Sequence, residues 1–303
     1  MSFQHTLATP VSCAGIGLHS GKCVTLTLRP APADAGIVFV RSDLGGARVS
    51  ATARNVVDTS LATKLSHRGV RVSTVEHILA ALHGLGVDNA VVELDAEEVP
   101  IMDGSAAPFV VLIRAAGIRE QRKARRILVI ARTVQVKDGD KLAELRPSDR
   151  FRVSYTIDFE HPSISTQFFD YRHSESAFER DLSRARTFGF LHEVEALQAM
   201  GLAQGGSLDN AVVVGADAIL NVEGLRFSDE FVRHKVLDAI GDLSLAGFRI
   251  AGHLLAKKAG HSMNQALLAE LFSNRDNYRI VEGAFEAELP APQPLSVLEN
   301  AVA

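Results

Sequence analysis

Two hydrophobic periods follow one another in this chain, a strand period and then a helix period, and the succession occurs in both halves. Lys22 to Leu28 alternate Thr with aliphatic residues and stop at Arg29-Pro30, the pattern of a half-buried strand. A second strand is expected at Gly36 to Val40. From Ser73 the period lengthens, with Val75, Ile78, Leu79 and Leu82 at i, i+3, i+4 and i+7, and Gly84 and Gly86 close an amphipathic helix. Ala90 to Leu94 returns to strand, and a short helix is expected from about Ser105 to Arg114. In the second half Ile127–Ile130 and Phe151–Ile157 read as strands, with helices near Glu193–Met200, Glu230–Ala246 and Met263–Leu271. Strands followed by helices in each half imply an α+β fold, with helices on one face of largely antiparallel sheets. Residues 121–126, Gln-Arg-Lys-Ala-Arg-Arg, read as a solvated linker and set a boundary between domains at 1–124 and 125–285, with a tail at 286–303. The pentapeptide Asp-Asn-Ala-Val-Val at 88–92 and 209–213 is read as coincidence, because its flanks do not extend into a repeat.

At 303 residues, 47% apolar and 22% charged, the chain has room for two ordinary cores. Thirty-two cations against 36 anions, a net charge of −4, exclude a protein that grips nucleic acid or an anionic membrane through bulk positive charge. No run of 18 mainly apolar residues occurs, so no transmembrane segment is expected, and membrane contact is at most peripheral. The first 21 residues lack Asp, Glu, Lys and Arg, yet without a basic start and with Gln4, Thr6 and Pro10 among them they are not read as a secretory leader. Cys13 and Cys23, the only cysteines, suit free thiols in a reducing compartment, so a cytoplasmic protein is expected, and a monomer.

The helix at 231–245 carries the chemistry. Val232, Val236, Ala239, Ile240 and Leu243 make one apolar face, and His234, Asp238 and Asp242, at i, i+4 and i+8, make a polar row roughly opposite, bordered by Lys235. An imidazole and a carboxylate on adjacent turns can give a divalent metal two ligands, and mixed N and O donors favour Zn²⁺. A lone H-x-x-x-D is more often a surface pair, so a third ligand is required. The best candidate is His77, which points away from the apolar stripe of its own helix. Glu76 beside it has two readings. One is a general base near a metal-polarised water; the other is the glutamate of a capping box, Ser73-x-x-Glu76. His261 sits on a Gly-flanked turn ahead of a Ser262/Gln265 capping pattern, where Asp242 would keep it protonated as a general acid or leave it a plain turn histidine. Gly15 to Cys23 misses the spacing of a nucleotide-triphosphate loop and leads into a strand, which disfavours a kinase.

Five segments in order, Ser73–His77, Ile101–Phe109, Arg186–Phe190, Phe231–Leu243 and Gly260-His261, closely resemble the UDP-3-O-acyl-N-acetylglucosamine deacetylase family. The resemblance implies two similar layered domains, each a sheet with two helices, with the active site in the cleft between them, and a zinc amidase of lipid A synthesis acting on an acylated UDP-sugar. It assigns one zinc to His77, His234 and Asp238, the base to Glu76, the acid to His261 supported by Asp242, and a polar group at the reacting carbonyl to Thr187. It puts Lys235 beside the ligand histidine as a substrate-binding residue and suggests Lys141, Phe159 and Lys258 for the uridine diphosphate. An acyl passage falls on an insert at about 187–215, with Phe188, Leu197, Met200, Leu202 and Leu208 as apolar walls and Gly201, Gly205 and Gly206 supplying freedom. Met263 and Gln265 stand where the family pattern suggests Leu and Asn. A non-catalytic UDP-sugar binder is the alternative class, and metal content separates the two.

Overall fold

One five-stranded pattern is used twice. In the computed structural model, which describes residues 2–283, the first sheet runs in the order Val11–Ile16, Cys23–Pro30, Ala90–Leu94, Ile37–Arg41, Ala47–Ser50. The second runs Val134–Asp138, Lys141–Arg146, His253–Lys257, Arg152–Phe159, Ser165–Arg172. In each, the strand latest in sequence takes the centre, antiparallel to the second strand and parallel to the third. The expectation of largely antiparallel sheets holds, with one parallel pair in each. The tail expected at 286–303 lies outside the described residues.

A helix precedes and another follows each central strand: α1 (Glu76–Gly84) and α2 (Ala107–Ala116) in the first half, α4 (Glu230–Ser244) and α5 (His261–Ser273) in the second, where α3 (Leu191–Ala199) comes before α4. The fold is α+β. Both halves also carry an insert at the same place, between the fourth strand and the first helix. In the first half it is a small sheet of Val56–Asp58, Lys64–His67 and Val70–Val72; in the second it is the parallel pair Phe188–Phe190 and Val212–Val214 with α3. Asp-Asn-Ala-Val-Val leads into a central strand once and into this insert pair the other time, so its two copies are not equivalent. No helix among the described residues is long and apolar enough to cross a membrane.

The basic segment is not a loose linker. Ile118–Ala124 is a strand paired with Phe3–Leu7, and Arg126–Ile130 begins the next strand. The Arg125 guanidinium donates to Asp88 Oδ2 and to the Gly86 carbonyl, and Arg126 lies over the Phe248 ring. Lys123, Arg125 and Arg126 thus have partners that lie far off in sequence, which a charge count cannot reveal.

α1 and α4 pack against each other, and every residue of α1 is buried. At the contact Gly241 of α4 rests against the Glu76 main chain, and a Cβ there would overlap the Glu76 carbonyl. Gly241→Ala is therefore expected to force the helices apart and cost about 1–3 kcal/mol of stability, which thermal melts check.

Candidate active site

The start of α1 fixes two of the site residues. Thr74 takes a left-handed backbone, φ 57°, and its hydroxyl donates to Glu98 Oε1 at 3.0 Å, so the chain turns sharply and the helix begins at Glu76. Ser73 is left behind, bridged to the Glu98 main chain, and does not cap the helix. The capping-box reading of Glu76 is thus corrected: its carboxylate accepts the Thr63 amide at 3.1 Å, and the residue is only 3% exposed. Burial raises its pKa above the usual carboxylate range, partly offset by His261 and His77.

His77, the next residue, faces α4. Its Nε2 lies 3.6 Å from Asp238 Oδ1, and His234 Nε2 lies 3.3 Å from the same oxygen. The three candidate ligand atoms fall within 4.8 Å of one another, and all three residues are buried. N and O donors about 2.0–2.1 Å from a tetrahedral zinc stand roughly 3.3–3.4 Å apart, so the two separations fit such an ion. The surroundings prepare the donors. His234 Nδ1 meets the Ala185 carbonyl at 3.0 Å, which leaves Nε2 as the lone-pair side, and burial lowers its pKa to about 4, the neutral form a metal needs. Burial opposes ionisation of Asp238, yet His234 and Lys235 hold its carboxyl well below the usual range. Lys235 Nζ donates to Asp238 Oδ2 at 2.7 Å and leaves Oδ1 facing the histidines. The amine is thereby engaged with a candidate ligand.

On the next turn of α4, Asp242 holds His261. His261 Nδ1 donates to Asp242 Oδ2 at 2.7 Å, and Nε2 lies 3.9 Å from Glu76 Oε1. Burial would lower the imidazole pKa, but Asp242, with Glu76 and Asp238 behind it, pushes it up to about 9. The second capping pattern is also corrected. α5 starts at His261 itself with Gly260 as an extended N-cap, and Gln265 Nε2 crosses to the Ala53 carbonyl of the first half at 2.9 Å.

The remaining candidates scatter more widely. Thr187 lies two residues beyond Ala185, its amide bonded to the Gly104 carbonyl at 2.8 Å. Phe188 packs edge-on against Phe159, 5.8 Å between centroids, and Phe159 also meets Phe190, so one aromatic cluster joins residues assigned to opposite ends of the substrate. Phe188 lies 6.4 Å from the His234 ring. Lys141, at a hairpin tip, and Lys258, just past the central strand, lie at the same end of the second sheet as Phe159. Lys258 Nζ is paired with Asp140 at 2.8 Å and Asp158 at 2.9 Å. Leu202 is half-buried, whereas Met200 is 66% exposed and Leu208 is exposed too. Gly205 corrects its assigned role: it touches the Gly17 main chain, where no Cβ fits, so it serves close packing and not freedom.

Several participants have no sequence signal of the kind used above. Thr63 and Asn264 both bond to Asp242. Arg186, fully buried, is clamped by Glu230 at 2.9 Å and steadies the extended segment of Ala185 and Thr187 that leads into the strand Phe188–Phe190. A separate cavity of about 280 Å³ between the halves is lined by Leu79, His83, Arg125, Arg126 and Arg249 and by none of the catalytic candidates. Side-chain chemistry, not cavity size, singles out the site.

Residues 4–273 match the family model described as UDP-3-O-acyl N-acetylglycosamine deacetylase. Proteins named UDP-3-O-acyl-N-acetylglucosamine deacetylase are similar over almost the full chain. The one from Myxococcus xanthus is 58% identical over 279 residues, 92% of this chain and 89% of its own. That of Anaeromyxobacter sp. is 55% identical over 296 residues, 97% and 96%. That of Shewanella violacea is 49% identical over 306 residues, 100% and 99%. With the family model spanning most of the chain, this protein belongs to the UDP-3-O-acyl N-acetylglycosamine deacetylase family.

Proposed function

We propose that the chain is a zinc-dependent amidohydrolase that removes the N-acetyl group of a UDP-3-O-acyl-N-acetylglucosamine, giving the free 2-amine and acetate in lipid A synthesis. The observation that carries the reading is the meeting, where α1 and α4 pack together, of a His–His–Asp cluster, a buried carboxylate and a carboxylate-held imidazole. His77, His234 and Asp238 would hold one zinc, which supplies a Lewis acid for the amide carbonyl and the attacking water. Glu76 takes a proton from that water, and His261, kept protonated by Asp242, gives one to the departing nitrogen. Thr187 offers a donor to the carbonyl oxygen as it gains charge. Water thus adds across the C–N bond, and the two protons end on the amine and in the solvent pool.

The two halves, 1–124 and 125–285, act as domains sharing this cleft in a monomeric, cytoplasmic enzyme. Lys141 and Lys258 serve the diphosphate, with Phe159 beside the base. Phe188 and Leu202 line the acyl chain, and Met200 meets its outer end. Incubation of the purified protein with the acylated UDP-sugar tests the reading. Amine and acetate in equal amounts support it, whereas binding of the sugar without acetate release leaves a UDP-sugar binder.

The acid limb of the mechanism predicts a pH limit. His261 must be protonated to act, and Asp242, Glu76 and Asp238 around it raise its pKa to about 9, so kcat/KM is expected to fall as pH rises through about 9. His261→Gln should be slow at all pH values and lose that limb; an unchanged profile at an unchanged rate would remove His261 from the role.

A further inference from the structure

We propose that Thr63 is a positioning residue, whose hydroxyl and amide together set the base Glu76 and the acid His261 at their working separation; the inference rests on the deacetylase reading and deepens it. Thr63 is 2% exposed and belongs to the insert of the first half, whereas Asp242, His261 and Asn264 belong to the second. Its main chain brackets the start of α1. The amide donates to Glu76 Oε2 at 3.1 Å, and the carbonyl accepts the Val75 amide at 3.4 Å.

The hydroxyl has one proton to give, and Asp242 Oδ1 receives it at 2.6 Å, a short charge-assisted bond. Oδ2 of the same carboxylate accepts His261 Nδ1 at 2.7 Å and Asn264 Nδ2 at 2.9 Å. Three donors therefore fix the carboxylate plane, and two of them come from α5. Among the described residues only Thr63 ties it to the first half, and Oδ1 has no other donor. Without that bond a buried acceptor is left unpaired, and the carboxylate must turn to recover a partner. The imidazole, held by Oδ2, turns with it, and Nε2 leaves its place 3.9 Å from Glu76 Oε1. Thr63 Oγ1 also stands 3.3 Å from His261 Nδ1, close enough to limit the swing of the ring. One residue thus spans base, carboxylate and acid across the two halves.

Thr63→Val keeps the shape and removes the hydroxyl, and Thr63→Ser keeps the hydroxyl and removes a methyl. In the zinc-loaded protein, Thr63→Val is expected to lower kcat by about ten- to a hundredfold, with KM, zinc per chain and melting temperature close to the parent, and Thr63→Ser to recover to within about threefold. The downfield proton resonance of the His261–Asp242 bond should shift or broaden away in Thr63→Val and return in Thr63→Ser. Turnover of Thr63→Val within about twofold of the parent, or Thr63→Ser as slow as Thr63→Val, overturns the proposal. If Thr63→Val does not fold, Thr63→Ala replaces it in the same comparison with Thr63→Ser. Absence of acetate release by the parent would defeat the deacetylase reading, while the proton resonance in the variants would still decide whether Thr63 holds the Asp242–His261 pair.

Discussion

Glu76→Gln is expected to bind zinc as the parent does and to lose turnover by about 10²–10⁴-fold. The amide has the size of the carboxylate and still offers an oxygen to the Thr63 N–H, so the local hydrogen bond survives while the proton acceptor is gone. Folding should not suffer. The parent carboxyl is buried, its pKa is raised by that burial, and Asp242 and Asp238 add to the cost of its charge. A group whose folded pKa is raised and which must be ionised opposes folding above that pKa, so its neutral replacement should melt at the same temperature or higher at neutral pH. Near-parental turnover would mean that another group takes the proton. Poor folding with unchanged turnover per folded molecule would return Glu76 to a structural role.

His234→Ala should fail in a different way. It removes the donor that faces Asp238 Oδ1 at 3.3 Å and is itself aligned by the Ala185 carbonyl. His77 and Asp238 alone give two ligands where a catalytic zinc site uses three, so zinc per chain should fall from about one to near zero on dialysis, with turnover at the level of the zinc-free protein. Glu76→Gln with metal and no activity, beside His234→Ala with neither, separates a base from a ligand. Metal analysis by mass spectrometry reads the difference. Retention of a full zinc by His234→Ala would move the metal elsewhere.

Much of this site could be read from spacing because its groups sit on regular helices. His234, Asp238 and Asp242 follow the helical period, and the polar row appeared opposite Val232, Val236, Ala239 and Ile240, which are buried as expected. His77 could be nominated because its own helix buried the opposite stripe. What escaped depends on irregular chain. Thr63 stands in a loop 179 residues from Asp242, and no periodicity points from one to the other. The kink at Thr74 moved the helix start away from Ser73, so a pattern that usually marks a cap instead freed Glu76 for Thr63. Main-chain partners such as the Ala185 carbonyl carry no side-chain signature, and Gly241 looked like any helix glycine until the backbone of Glu76 was found against it. The repeat of the five-stranded pattern was legible only as strands before helices, since the strand order depends on long-range pairing of Ala90–Leu94 and His253–Lys257.

The central claim is that one zinc, held by His77, His234 and Asp238, makes this chain a deacetylase, and the most direct test is acetate release measured while zinc is titrated into chelator-stripped protein. No acetate is expected from the stripped chain, then a rise in proportion to added zinc and a plateau at one zinc per chain. Full acetate release from metal-free protein, or none at one zinc per chain, would contradict it.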